Sequence, residues 1–214
     1  MKCDDCFAFS GRSYLEPLEK NLPNMPSAEF AEDYVVRVND LNDSNYQREL
    51  VMEATKIYKR KFYNTAMPRD LGGFDAPVVL TINPAKLTDK NFFKLDPVPP
   101  NLMFVRMRVN TWNLDLVDEA IKYYSERKTP VILTFMRYYM LKLPEGHEEN
   151  YTFKKKILND YWVIKDDVWA EIMKRYRYNE NVDSCGRIQV ECRRCGNCLR
   201  EYFATMERLR NLPK

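Results

Sequence analysis

Four of the six cysteines of this chain fall within one stretch, Cys185-Gly-Arg-Ile-Gln-Val-Glu-Cys192-Arg-Arg-Cys195-Gly-Asn-Cys198. The last three stand three residues apart, as overlapping Cys-x-x-Cys steps. Cysteines that merely filled a core would have no reason to cluster in this way, so the stretch reads as metal ligands or disulfide partners. Structural zinc ordinarily draws on two separated Cys-x-x-Cys pairs, or on pairs mixed with His, to build one tetrahedron. Overlapping steps suit an iron–sulfur cubane instead, whose irons sit at separate corners and take ligands from a curling loop. Gly196, lacking a Cβ, would let backbone N–H groups approach the sulfurs. The first reading is therefore an iron–sulfur site, with structural zinc second and disulfides or inert thiols last.

The other two thiols belong to Cys3-Asp-Asp-Cys6. A zinc half-site, a redox pair or two further cluster ligands all use this spacing. A thioredoxin-like redox pair needs a preceding strand to present it, and only two residues precede Cys3, so ligation is the stronger reading. The start of the chain has no apolar run of the kind a signal peptide carries. The longest apolar stretches, near Val78 and Val131, are far too short to span a membrane. The expectation is a cytosolic protein, where thiols stay reduced and metal is favoured over disulfides.

Charge excludes little. Lys and Arg number 34 against 31 Asp and Glu, a net +3 too balanced to imply nucleic-acid binding by itself. Val168 to Lys214 nevertheless carries ten basic and six acidic residues, so the excess surrounds the cysteines. A solvated helical face and an anion-binding face are equal readings of that excess. No glycine-rich phosphate loop exists, since Gly72-Gly73 reads as a turn. The only histidine, His147, lies in a polar loop and reads as solvated.

The elements that must position the thiols alternate. Ser27 would cap a helix running to about Val38, with Phe30, Tyr34 and Val38 on one face. Tyr46 to Lys61 has helical spacing, with Tyr46, Leu50, Val51, Ala54, Ile57 and Tyr58 as its apolar set. Pro77-Val-Val-Leu-Thr-Ile82 reads as a buried strand. In Leu102 to Val109, Met103, Val105, Met107 and Val109 alternate with Phe104, Arg106 and Arg108. A helix capped by Asn113 and a strand at Pro130 to Met136 complete a right-handed βαβ unit. Lys154 to Lys156 reads as solvated surface. Val168, Trp169, Ile172, Met173 and Tyr176 make a further helix, and Leu199, Tyr202, Phe203, Met206 and Leu209 a closing one directly after Cys198. That helix would turn its positive dipole end toward the thiolates.

The fold expected is α/β in one domain of 214 residues, a small or partial (βα) barrel with a doubly wound sheet as runner-up. Within it, 1–12 is a cysteine-bearing segment, 28–177 the α/β core, and 178–214 the cysteine cluster and closing helix. On a barrel Arg106 and Arg108 would point inward and require an anionic ligand. On an edge strand they would face solvent.

The opening Cys-x-x-Cys-Phe-Ala-x-x-Gly-x-x-Tyr of Cys3 to Tyr14 resembles the Cys-x-x-Cys-Tyr-Ala-x-x-Gly-x-Tyr opening of phage- and bacteria-encoded radical SAM-like proteins. The middle, Val105 to Trp112 through Leu133 to Arg137, is similar to their strand–helix–strand unit. The end, Cys185 to Tyr202, is similar to their Cys-x(6–7)-Cys-x-x-Cys-x-x-Cys and following aromatic helix. The resemblance implies a partial barrel of the radical SAM type and a [4Fe–4S] cluster held among Cys3, Cys6, Cys185, Cys192, Cys195 and Cys198. It further implies S-adenosylmethionine as a small-molecule cofactor, held by Arg106, Arg108, Asn110 and Arg137. The substrate is open, nucleic acid or protein among the classes. Two departures stand against a full match. Asn110-Thr-Trp replaces a Ser-Gly-Asp-like turn, and Cys3 and Cys6 supply only the last two positions of Cys-x3-Cys-x2-Cys. A third ligand then comes from the C-terminal group, or the start is shortened, or the SAM chemistry is lost. The competing class is a non-catalytic protein stapled by zinc or a cluster, engaging nucleic acid or a host protein through its basic C-terminal face.

Overall fold

The computed structural model describes residues 25–39, 43–83, 93–135, 137–139, 142–155, 160–185 and 192–212. Six strands form one sheet: β1 (Val36–Val38), β2 (Lys61–Thr65), β3 (Val78–Ile82), β4 (Leu102–Val109), β5 (Val131–Phe135) and β8 (Val182–Cys185). They lie side by side in chain order, and every pairing is parallel. A parallel sheet that keeps chain order is compatible with a partial (βα) fold. Between β5 and β8 the chain inserts an antiparallel hairpin, β6 (Tyr151–Lys154) and β7 (Tyr161–Ile164). The helices are α1 (Arg48–Thr55), α2 (Leu114–Ser125), α3 (Asp166–Lys174), the single turn α4 (Cys192–Cys195), and α5 (Asn197–Arg210).

Two apolar layers sandwich the sheet. On the outer face Val78, Leu80, Val105, Met107, Val109, Val131 and Leu133 meet Val117, Ala120, Ile121 and Tyr124 of α2 and Ile172 of α3. On the inner face Phe62, Val79, Met103, Phe104 and Ile132 meet Tyr202 and Met206 of α5. Met103, expected on the outer face with Val105, belongs to the inner layer. The pairing of β3 with β4 explains this, for Val78 lies opposite Leu102 and Val79 opposite Phe104. Met103 is the extra residue of a bulge, which moves it out of the alternation.

Two expected helices are shorter than their periodicity. Ser27 accepts a hydrogen bond from the Phe30 N–H at 3.2 Å, but the chain makes only a turn and then enters β1. The run Val35-Val36-Arg37-Val38 is β-branched at three of its four positions, which favours a strand. Phe30 and Tyr34 stack on each other at 5.6 Å in the open. Helix α1 ends at Thr55, so Lys61, expected in the helix, opens β2 instead. Tyr46, Leu50 and Ile57 are exposed, and Val51 and Met52 carry the packing.

Candidate metal and cofactor site

The thiols meet the sheet at its C-terminal edge. Along the inner face, side chains change from apolar to polar as the strands approach that edge. Val79 and Phe104 are neighbours in one row, then Thr81, Arg106, Ile132 and Asp183, and finally Arg108, Thr134 and Cys185. Arg106 and Arg108 thus fall on the inner face. Arg106 is half-buried, and its Nη1 donates to Asn64 Oδ1 on β2 at 3.3 Å. Arg108 is buried, with its guanidinium 4.5 Å from the Tyr138 ring centroid.

Cys185 ends β8, and its sulfur lies 3.0 Å from the Thr134 hydroxyl on the neighbouring strand. Burial raises its thiol pKa; the Thr134 hydrogen bond and the Arg106 charge oppose that shift, and the nearby Cys195 and Cys198 add to it. The three thiols and Arg106 therefore share one electrostatic neighbourhood. None of these three cysteines is in a disulfide.

Helix α5 fixes the place of Cys198. It runs against the strand direction: Asn197 Nδ2 donates to the Ser184 carbonyl near the end of β8 at 2.9 Å. Arg208 Nη2 donates to the Leu102 carbonyl at the start of β4 at 2.7 Å. Its N-terminus, with its partial positive charge, thus lies at the cysteine end. Gly196 joins α4 to α5 at φ +71, and a Cβ built there would meet no atom within 4 Å. A glycine takes this left-handed backbone at no steric cost. The basic C-terminal excess is partly structural. Arg200 pairs with Asp183 at 3.0 Å and Glu201 at 2.9 Å, and Arg208 serves backbone carbonyls.

Asn110, expected to touch a cofactor, is fully buried in the turn after β4. Its side-chain Oδ1 accepts the Trp112 N–H at 3.2 Å, and its backbone N–H donates to Asn113 Oδ1 at 3.0 Å. Asn113 Nδ2 donates to the Arg108 carbonyl at 3.1 Å, so this residue ties the strand end to α2 in place of capping the helix. Arg137 is exposed, its guanidinium 4.7 Å from the Tyr161 ring centroid, and stands outside the inner face. His147, read as solvated, is half-buried and shares a 2.8 Å hydrogen bond with the Thr111 hydroxyl. Cys3 and Cys6 lie outside the described residues, as does the side chain of Cys192.

Among the described residues, no group of three or more His, Cys, Asp or Glu side chains is assembled closely enough to hold a metal ion. The donor chemistry of Cys185, Cys195 and Cys198 suits a soft metal centre, and its remaining ligands would come from Cys192, Cys3 or Cys6. A shallow depression of about 530 Å³ lined by Arg175, Tyr178 and Asn179 to Asn181 sits at the opposite edge, where β8 begins, away from the thiols. Among the described residues no helix is long and apolar enough to cross a membrane. Neither a family model, nor a curated protein, nor a solved structure matches this chain.

Proposed function

We propose that this chain is an iron–sulfur protein of the radical SAM-like kind. Cysteines at the C-terminal edge of its parallel sheet hold a [4Fe–4S] cluster, and Arg106 and Arg108 serve an anionic cofactor on the inner face, S-adenosylmethionine being the candidate. One observation carries the reading. Cys185 at the end of β8 and Cys195 and Cys198 around the start of α5 share their surroundings with Arg106, at the sheet edge where parallel α/β folds bind their ligands. When bound, such a cluster supplies one-electron reduction of a sulfonium cofactor.

The chain's own residues have separate tasks in this reading. Thr134 holds the Cys185 sulfur, and Asn197 pins the start of α5 to β8. The guanidinium of Arg106 favours thiolate over thiol and stands ready for a carboxylate. The apolar inner layer beneath keeps water from the floor of the site.

The test is anaerobic purification with iron, sulfide and zinc analysis. Iron and sulfide with absorbance at about 400 nm are expected, and iron should fall when Cys195 and Cys198 are changed together to Ser. Colourless protein carrying zinc would replace the cluster with a structural staple. Iron-loaded protein that binds no S-adenosylmethionine in calorimetry, and releases no 5′-deoxyadenosine under strong reductant, would remove the cofactor from the proposal.

A further inference from the structure

Helix α5 buries one face against the sheet and leaves an apolar stripe on its other side uncovered. Tyr202 and Met206 meet Phe62, Phe104 and Ile132 on the inner face. Leu199 and Phe203, one helical turn apart on the same face, are 47% and 53% exposed. The stripe begins directly after Cys198. Arg194, on the single turn α4 that precedes Gly196, is exposed as well. An uncovered apolar stripe therefore adjoins Cys195 and Cys198, with a cation at its thiol end.

Residues 1–24 join the described fold beside this helix. The Tyr58 hydroxyl donates to the Pro26 carbonyl at 2.7 Å, and Lys61, a few residues on, hydrogen-bonds the Tyr202 hydroxyl through its backbone. The chain thus enters near the middle of α5, and from there the helix leads back to its N-terminus and the thiols. Its 14 residues extend about 21 Å. The stretch from Phe9 to Met25 reaches up to about 50 Å when extended, so length is no obstacle. The sequences at the two ends of that path are complementary. Cys3-Asp-Asp-Cys6-Phe-Ala-Phe9 sets two carboxylates and two aromatic rings beside two thiols. Cys192-Arg-Arg-Cys195, followed by Leu199 and Phe203, sets two guanidiniums and two apolar side chains beside its own. A second exposed stripe, Tyr46, Leu50 and Ile57 along α1, carries exposed Glu49 and Glu53, which would repel Asp4 and Asp5.

We propose that the uncovered stripe of α5 is the docking surface for this chain's own N-terminal segment, with Phe7 and Phe9 covering Leu199 and Phe203 and Asp4 and Asp5 meeting Arg194. Docking sets Cys3 and Cys6 beside Cys195 and Cys198, and in making them metal ligands it rests on the function proposed above. The contact itself needs no metal, since apolar cover and opposite charge act with or without iron.

Photo-crosslinking on the full chain tests it. Phe9→p-benzoylphenylalanine places the crosslinker, and mass spectrometry locates the attachment. The expected product is intramolecular, within Leu199 to Glu207. D4K/D5K should lower its yield by about threefold or more, the scale of exposed ion pairs reversed in sign, and R194E in that background should restore part of it. L199E/F203E should remove most of the product while circular dichroism matches the parent, since both altered side chains are exposed. Attachment to α1 near Leu50, attachment to a second copy of the chain, or a yield that charge reversal leaves unchanged would overturn the docking. Iron is measured on the same samples. Crosslinked protein without iron would remove the cluster and keep the docking; iron-loaded protein without the crosslink would do the reverse.

Discussion

Asp43 holds the end of β2 with one carboxylate. Its Oδ1 accepts the Asn45 N–H at 2.8 Å and the Thr65 hydroxyl at 2.6 Å, and its Oδ2 accepts the Ala66 N–H at 2.7 Å. Asp43→Ala leaves these donors without their charged acceptor and should cost about 2–3 kcal/mol in urea unfolding. A loss under half a unit would show that water replaces the carboxylate there. At the thiols the residue that matters is Thr134. Burial raises the Cys185 pKa and the Thr134 hydroxyl opposes the rise. In metal-free protein, alkylation of Cys185 followed by mass spectrometry should reach half its rate above the ordinary thiol value of about 8.5. Thr134→Val should move that midpoint higher still. A midpoint at or below the ordinary value would contradict the burial described. Cysteine spacing made the candidate site legible in the sequence, because clustered thiols leave a local pattern. Thr134 and Asn64 left none: a hydroxyl or amide on a buried strand acquires its role only from the register that sets it beside Cys185 or Arg106.

Helix α5 carries two adjacent aromatic residues with opposite fates. Tyr202 is 4% exposed against Phe62, Phe104 and Ile132, whereas Phe203 is 53% exposed. Tyr202→Ala should therefore cost about 3–5 kcal/mol, and Phe203→Ala no more than about 0.5 kcal/mol. Equal losses in urea melts would mean that the helix docks by another face. This helix, α2, α3, β3, β4 and β5 were readable because their apolar periodicity is also their burial pattern. Strands β2, β6, β7 and β8 were not. Lys61-Phe-Tyr-Asn-Thr65 continues the helical spacing of the preceding segment, and its Lys61 and Asn64 are buried through partners distant in sequence, Asp75 and Arg106. Val182-Asp-Ser-Cys185 has one apolar residue besides its cysteine and pairs only because β5 offers it an edge. Polarity hid these strands, and tertiary pairing made them.

At the scale of the molecule, tyrosine burial sets an alkaline limit. Tyr63, Tyr124, Tyr151 and Tyr176 all have their pKa values pushed well up, chiefly by burial. The unfolded chain releases these protons near the ordinary tyrosine value of about 10, while the folded chain keeps them. Their contribution is thus intact below that pH and is lost as pH rises toward the folded-state values. Melting temperature should be flat to about pH 9 and fall steeply above about pH 10, with phenolate absorbance rising together with unfolding. Phenolate absorbance that rises fully before any loss of structure would contradict the burial. The place of α5 has a consequence in time as well. A ribosome delivers all six sheet strands, through Cys185, before the end of the helix that covers their inner face. At about 5–20 residues per second, the 25 residues from Cys185 to Arg210 take about 1–5 s. Throughout that interval Phe62, Val79, Phe104 and Ile132 await their cover. Until α5 docks, the inner face lies uncovered, and the segment that closes it is the one that delivers Cys195 and Cys198.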